Sequence, residues 1–162
     1  MRVLGIDPGL NTTGYGLLET GDEKPKLIEA GEIKSTRSLP LEERLYELFT
    51  GLEEVLKEFQ PDVLVVEELY SHYKHPKTAV IMGHVRGVFF LVAGIAGIPV
   101  FSYSATRIKK SLTGAGHADK EQIARMISVS LDCGEIHGRF DVTDAIATAL
   151  CHINFVAHGG TL

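Results

Sequence analysis

Four acidic residues stand where an acid is not ordinary surface: Asp7 in "GIDPG", Glu67 in "VLVVEEL", and Asp141 with Asp144 in "RFDVTDAIATALC". Each lies where an apolar run meets polar loop chemistry. Asp141 and Asp144 are three residues apart at the head of an apolar helix, so they share a face and repel by roughly 0.2 to 0.5 kcal/mol. Carboxylates crowded together cannot all stay ionised without a counter-charge. Oxygen-only ligands of this kind suit Mg²⁺ or Mn²⁺, and two ions about 3.5 to 4 Å apart would clamp the attacking and leaving oxygens of a phosphodiester. Plainer readings stand beside this one. Asp7 before Pro8 is equally a turn residue, and Glu68 shows that an acid can simply end a strand at the surface. Asp141 or Asp144 could be a helix N-cap worth roughly 1 kcal/mol, although one cap needs only one aspartate.

For these acids to meet, the fold must bring strand ends together. "RVLGID" is an apolar strand ending on Asp7, followed by the turn "DPGLNTTG", in which Pro8 fixes φ and Gly9 is free to take positive φ. "TGYGLLET" and "KLIEAGEIK" continue as strands joined by short polar turns, an antiparallel meander. Leu41, Leu45, Leu48, Phe49, Leu52, Val55, Leu56 and Phe59 recur at three and four, which predicts an amphipathic helix with its glutamates outward. "PDVLVVEEL" has the nearly continuous β-branched run of a central strand buried on both faces. From Pro76 to Ala96 the pattern is helical and apolar on more than one side, so this helix is central or packs on a partner, with Gly83 and Gly87 allowing close helix approach. "IPVFSY" is a last strand, "TRIKKSL" a short helix or turn, and "ADKEQIARMISVSL" and "VTDAIATALCHINFVA" two further helices. The order predicts an α/β fold: a mixed five-stranded sheet, three antiparallel strands then two parallel, with helices on both faces. If the first and fourth strands are parallel neighbours, Asp7 and Glu67 meet at their C-terminal ends, where sites form in such sheets.

The chain of 162 residues, 44% hydrophobic, is long enough for one well-packed domain, read as residues 1–157 with a tail at 158–162. No repeat or low-complexity linker divides it. No charged-then-apolar leader follows Met1, which predicts a cytoplasmic protein. The apolar run Val88 to Val100 spans 13 residues, short of the ~20 of a membrane helix. Cys133 and Cys151 have no metal-ligand or redox spacing and read as reduced thiols. The net charge of −5 argues against a polyanionic partner until its distribution is seen. Residues 1–71 hold 7 bases and 15 acids, residues 72–125 hold 8 bases and 2 acids, and residues 126–162 hold 1 base and 4 acids. A basic block with His72, His75, His84 and His117 therefore lies between acidic flanks, which points to a polyanion or to a solvated basic face.

"GIDPG" with "TGYG", "PDVLVVEELY", "GHVRGV", "GAGHADKEQ" and "DVTDAIATALCH" occur in the order and spacing of the RuvC family of bacterial Holliday-junction resolvases, within the ribonuclease H-like superfamily. The resemblance runs from Met1 to about Val156. It implies a metal-dependent endonuclease that resolves four-way junction DNA by symmetric paired nicks. It further implies a homodimer acting beside the branch-migration motor RuvAB, with the apolar helix near Gly83 as a dimer element. The family's four metal-binding carboxylates fall on Asp7, Glu67, Asp141 and Asp144, and some members carry His where Asp141 stands. Its two catalytically supportive lysines fall on Lys109 and Lys120. The aromatic expected to wedge against unpaired junction bases falls on Tyr70, where members more often carry Phe, and one residue is inserted in the following "SHYKHPK". The reaction expected is hydrolysis with two Mg²⁺ ions, Mn²⁺ substituting, by in-line attack with the 3′-bridging oxygen leaving.

Lys109 and Lys120 would offset phosphate charge at the scissile bond. Lys74, Lys77, Arg86 and Arg107 are candidate phosphate contacts along the duplex arms, and Arg86, inside an apolar helix, is equally a paired structural residue. A ribonuclease of the same superfold is the rival enzyme reading. A nucleotide-binding kinase-like domain would need a second domain that this length does not provide, and a non-catalytic junction-binding module would not need the acids.

Overall fold

The computed structural model describes residues 1–21, 24–68, 76–133 and 140–160. Five strands, β1 (Arg2–Asp7), β2 (Thr12–Glu19), β3 (Lys26–Lys34), β4 (Val63–Glu67) and β5 (Val100–Tyr103), form one sheet in the order β3-β2-β1-β4-β5. The β3-β2-β1 part is antiparallel, and β4 and β5 join it parallel to β1 and to each other. Five helices complete the described residues: α1 (Leu41–Phe59), α2 (Pro76–Ala96), α3 (Ala105–Thr113), α4 (Lys120–Leu131) and α5 (Phe140–Ala157).

Strand alternation divides the core in two. Successive side chains of a strand point to opposite faces. Leu4, Ile6, Leu64 and Val66 therefore share one face, where they pack with Leu48 and Leu52 of α1 and with Val85 and Phe89 of α2. Val3, Val63 and Val65 share the other, against Ile108 of α3, Ile123 and Ile127 of α4, and Ile146 and Leu150 of α5. Burying a side chain of this size stabilises by about 1.5 to 3 kcal/mol. β1 and β4 are buried on both faces, which is why they read as continuous apolar runs.

The turn after β1 corrects one expectation. Gly9 does not use positive φ; among the described glycines only Gly97, Gly114 and Gly159 do. Space is what Gly9 supplies, since a Cβ there would lie 2.1 Å from the Thr12 carbonyl oxygen. Thr13 closes the turn, its hydroxyl donating to the Gly9 carbonyl at 2.8 Å and accepting from the Gly9 N–H at 3.1 Å.

Helix α2 is half embedded. Val85, Phe89, Val92 and Ala93 are buried, while Val80, Leu91 and Ile95 are about 60% exposed on a stripe with Gly83 and Gly87. The two glycines do not serve a close contact among the described residues, because an added Cβ would meet nothing of them within 4 Å at either one. The helix also begins well before the 13-residue apolar run, so its 21 residues would suffice to cross a membrane by length and composition alone. Its buried stripe is instead packed on the sheet and α1. Cys133 and Cys151 are free thiols.

Candidate active site

Parity decides which face each acid occupies. Asp7 follows Val3 and Gly5 at two-residue steps, and Glu67 follows Val63 and Val65, so both carboxylates emerge on the α5 face. The parallel register pairs Ile6 with Val66, and Asp7 and Glu67 stand one step beyond at adjacent strand ends.

Helix α5 is brought down onto this point by the absence of side chains beneath it. A Cβ on Gly14 would lie 2.1 Å from the Asp141 carbonyl oxygen, and one on Gly5 would lie 2.1 Å from that of Ala145. Gly14 is also the register partner of Asp7. The backbone of Asp141 therefore rests on the sheet directly beside Asp7. The helix begins at Phe140, so Asp141 lies in its first turn and Asp144 is its fifth residue. Neither aspartate is the N-cap, which removes the capping explanation for the pair. Behind them, Val142, Thr143 and every residue from Ala145 to His152 are buried, and Thr148 donates its hydroxyl to the Asp144 carbonyl at 2.9 Å.

The acids feel one another. Burial first, then the charges of Asp144, Glu67 and Asp141, push the Asp7 carboxyl from its ordinary 3.8 up to about 8, with Lys120 opposing. Glu67 is raised by burial and by Asp144, against Lys109 and Lys120. Asp144 is raised by burial, and Lys120 is the main opposing influence. The two lysines reach the cluster from other helices, Lys109 from α3 and Lys120 from the first position of α4. The Lys120 ammonium stands 3.6 Å from the Asp144 carboxylate. Glu67, Lys109, Lys120 and Asp144 line a cleft of about 110 Å³ floored by Ile108 and Ala147.

The donor set suits a hard divalent cation: carboxylate oxygens only, half-buried, at strand and helix ends that fix their backbones. Among the described residues, no three His, Cys, Asp or Glu side chains are gathered tightly enough to hold an ion as they stand. The two observations concern different distances. Charge coupling in a half-buried site acts over several Å, whereas the oxygens around Mg²⁺ sit at about 2.0 to 2.1 Å from the ion.

A larger apolar hollow of about 470 Å³ lies between the ends of α1 and α2, lined by Phe49, Leu56, Val92 and Ile95. Its charged residues Glu53 and Lys57 are already paired at 2.8 Å, so size does not mark the chemistry here.

The remaining candidates separate. Arg86 is half-buried, donates to the Ser102 hydroxyl at 2.9 Å and lies over the Phe90 ring at 4.8 Å, the geometry of a packed residue. Arg107 is exposed and lies over the adjoining rings of Tyr103 and Phe155 at 4.8 and 4.9 Å. At 100° per residue it projects from α3 on the side away from Lys109. Lys77 is exposed in the first turn of α2. Tyr70 and Lys74 lie outside the described residues. Sequence reasoning missed the track of Gly5 and Gly14, whose signal was glycine inside strands. It also missed the pair made by buried His152, whose Nδ1 is 2.8 Å from the hydroxyl of Tyr103; burial lowers the pKa of that histidine and favours the neutral ring.

A sequence model of the family "Crossover junction endodeoxyribonuclease RuvC" matches residues 3–152. The crossover junction endodeoxyribonuclease RuvC of Rhodopirellula baltica is 48% identical over 149 residues, covering 92% of this chain and 84% of the relative. That of Caldanaerobacter subterraneus subsp. tengcongensis is 40% identical over 152 residues, covering 94% and 92%. Among solved structures, RuvC of T. thermophilus in complex with Holliday junction substrate superposes with a TM-score of 0.92 at 33% identity, covering 99% of this chain and 97% of that one. The yeast mitochondrial Holliday junction resolvase Ydc2, 13% identical with a TM-score of 0.69 over 96% of this chain and 80% of that one, shares the fold.

Proposed function

The chain belongs to the crossover junction endodeoxyribonuclease RuvC family, and on that premise we propose that it resolves Holliday junctions by hydrolysing one phosphodiester in each of two opposed strands. The observation that carries this reading is the acid cluster, in which burial first and then neighbouring carboxylates raise the pKa values of Asp7, Glu67 and Asp144 together. Residues 1–157 act as one nuclease domain, with 158–162 as a tail.

Asp7, Glu67, Asp141 and Asp144 would hold divalent metal, which as two Mg²⁺ ions, or Mn²⁺, would offset phosphate charge and lower the pKa of the attacking water so that it can lose a proton at neutral pH. The protein's own part is positioning. β1 and β4 present Asp7 and Glu67 from a rigid sheet, and α5, seated on Gly5 and Gly14, sets Asp141 and Asp144 against them. Lys109 and Lys120 place two ammonium groups at the rim of the cleft, where they orient the scissile phosphate and offset its charge. Lys77 contributes to backbone contact along the arms, as does Lys74 in the segment after β4, and Tyr70 in that segment wedges against unpaired bases at the junction centre. Arg107, exposed over the Tyr103 and Phe155 rings, adds a further phosphate contact, and Arg86 acts through packing. The exposed stripe of α2, with open space at Gly83 and Gly87, supports a homodimer built across that helix, which would present two clefts to one junction. In the cytoplasm the dimer would work on junctions delivered by the RuvAB motor.

The test is cleavage of a synthetic four-way junction in Mg²⁺ with ends mapped on all four strands. Paired symmetric nicks are expected; cleavage confined to linear DNA, RNA or hybrid duplexes would overturn the reading. Asp144→Asn should abolish cleavage while junction binding persists within about twofold, and an equal loss of binding would make that aspartate structural.

A further inference from the structure

Lys120 occupies a position that its charge does not favour. It is the first residue of α4, at the positive end of the helix dipole, where Asp or Glu is the stabilising choice. The helix start does not depend on it, because Asp119 and Gln122 form a reciprocal capping box. Beside the longer-range attraction of Asp7 and Glu67, two direct contacts among the described residues hold the misplaced charge. One is the Asp144 carboxylate at 3.6 Å. The other is the ring of Phe140, whose centroid lies 4.3 Å from the ammonium. Phe140 opens α5 one residue before Asp141 and is 64% exposed. So exposed a ring contributes little to the core, and what it offers at this place is its face.

The two contacts differ in what competes for them. A carboxylate is also a ligand for hard cations, so any divalent ion drawn to Asp144 competes with Lys120 for it. The negative face of an aromatic ring attracts an ammonium but presents no oxygen to such an ion. With Asp144 as its sole anchor, a lysine on a flexible four-carbon stem would be released to solvent when the carboxylate turned to another partner.

We propose that Phe140 is a positioning residue for Lys120, its ring holding the ammonium at the rim of the cleft when Asp144 is engaged elsewhere, so that the lysine remains within reach of the scissile phosphate. This rests on the reading of Lys120 as a phosphate-orienting group.

The test is single-turnover cleavage of a four-way junction in Mg²⁺ by wild type, Phe140→Leu, Phe140→Trp, Lys120→Met and the Phe140→Leu/Lys120→Met double variant. Leucine keeps an apolar side chain and removes the ring face; tryptophan keeps a stronger face. Phe140→Leu should slow cleavage about two- to fivefold, the range of an exposed cation–π contact converted to rate. Phe140→Trp should match or exceed wild type, metal-free junction binding should stay within about twofold, and Phe140→Leu should have no further effect once Lys120 is methionine. A Phe140→Leu variant as fast as wild type, beside a slow Lys120→Met, would overturn the proposal and leave the lysine's role standing. An equal loss in the Lys120→Met background would show that the ring acts on DNA or on folding. A Lys120→Met variant as fast as wild type would overturn the lysine's role and the proposal with it.

Discussion

Asp7 keeps a proton at neutral pH in the metal-free protein, because burial and three neighbouring carboxylates raise its pKa to about 8. In the unfolded chain the same carboxyl ionises near 3.8. A folded pKa above the unfolded one means that the folded state binds the extra proton between these values, so the stability tied to Asp7 is fully present below about pH 4 and is lost as pH rises toward 8. Asparagine resembles the protonated acid and does not titrate. In chelator, Asp7→Asn should therefore melt higher than wild type at pH 8, by roughly 3 to 10 °C for a difference on the order of 1 to 3 kcal/mol, with the gap closing toward pH 5. Adding Mg²⁺ should raise the wild-type midpoint and leave the variant's unchanged, while the variant cleaves nothing. Thermal melts at three pH values, with and without metal, check this, and a gap that does not change with pH would mean that folding does not raise the Asp7 pKa. The same comparison explains why four acids could be picked out by eye. Their cost to folding shows in the sequence as charges placed at the ends of apolar runs.

At the scale of elements, the sheet positions the site by alternation and close approach, and these two were unequally legible. Hydrophobic patterning located the five strands and four of the helices, leaving α3 as a helix or a turn, and the parallel pairing of β1 with β4 was a condition that the structure meets. Alternation from Val3 to Asp7 and from Val63 to Glu67 puts both acids on one face once the register that pairs Ile6 with Val66 is known. The seating of α5 was not legible, since nothing in "TGYG" says which helix its glycines admit. Gly9 was read for backbone freedom when its turn required space, and the aspartate pair was open to a capping role until the helix was seen to begin at Phe140. Long-range sterics decide such points, and local sequence does not carry them. Gly14→Ala tests the seating. Its Cβ would meet backbone atoms of Asp141 and Val142, which no rotamer change can relieve. We expect a loss of stability of about 1 to 3 kcal/mol by denaturant titration and at least tenfold slower cleavage with every carboxylate and lysine intact. Cleavage at the wild-type rate would show that α5 need not rest on the sheet to place Asp141.

At the scale of the whole molecule, one cleft answers one phosphodiester, and a four-way junction needs two cut in opposed strands. The feature suited to pairing two clefts is α2, where Val80, Leu91 and Ile95 are exposed beside open glycines on a helix whose opposite stripe is buried in the core. Leaving so apolar a stripe in water forgoes roughly 25 cal/mol for each Å² that a partner could cover. A second copy of the same helix can approach closely there because Gly83 and Gly87 put no side chain in the way. The charge distribution is compatible with this arrangement, since the segment from 72 to 125 that contains α2 is the basic part of a chain otherwise rich in acid. Leu91→Glu places a charge in the middle of the stripe without touching the core, because Leu91 is 58% exposed. Sedimentation should show wild type as a dimer at micromolar concentration and the variant as a monomer with an unchanged melting profile in dilute solution. Junction cleavage should then lose its pairing: single nicks accumulate, the second strand is cut at a rate independent of the first, and the yield of symmetric products falls at least tenfold. A monomer that still delivers coupled nicks would place the second cleft's alignment in the DNA, and a variant that remains a dimer would move the interface off α2.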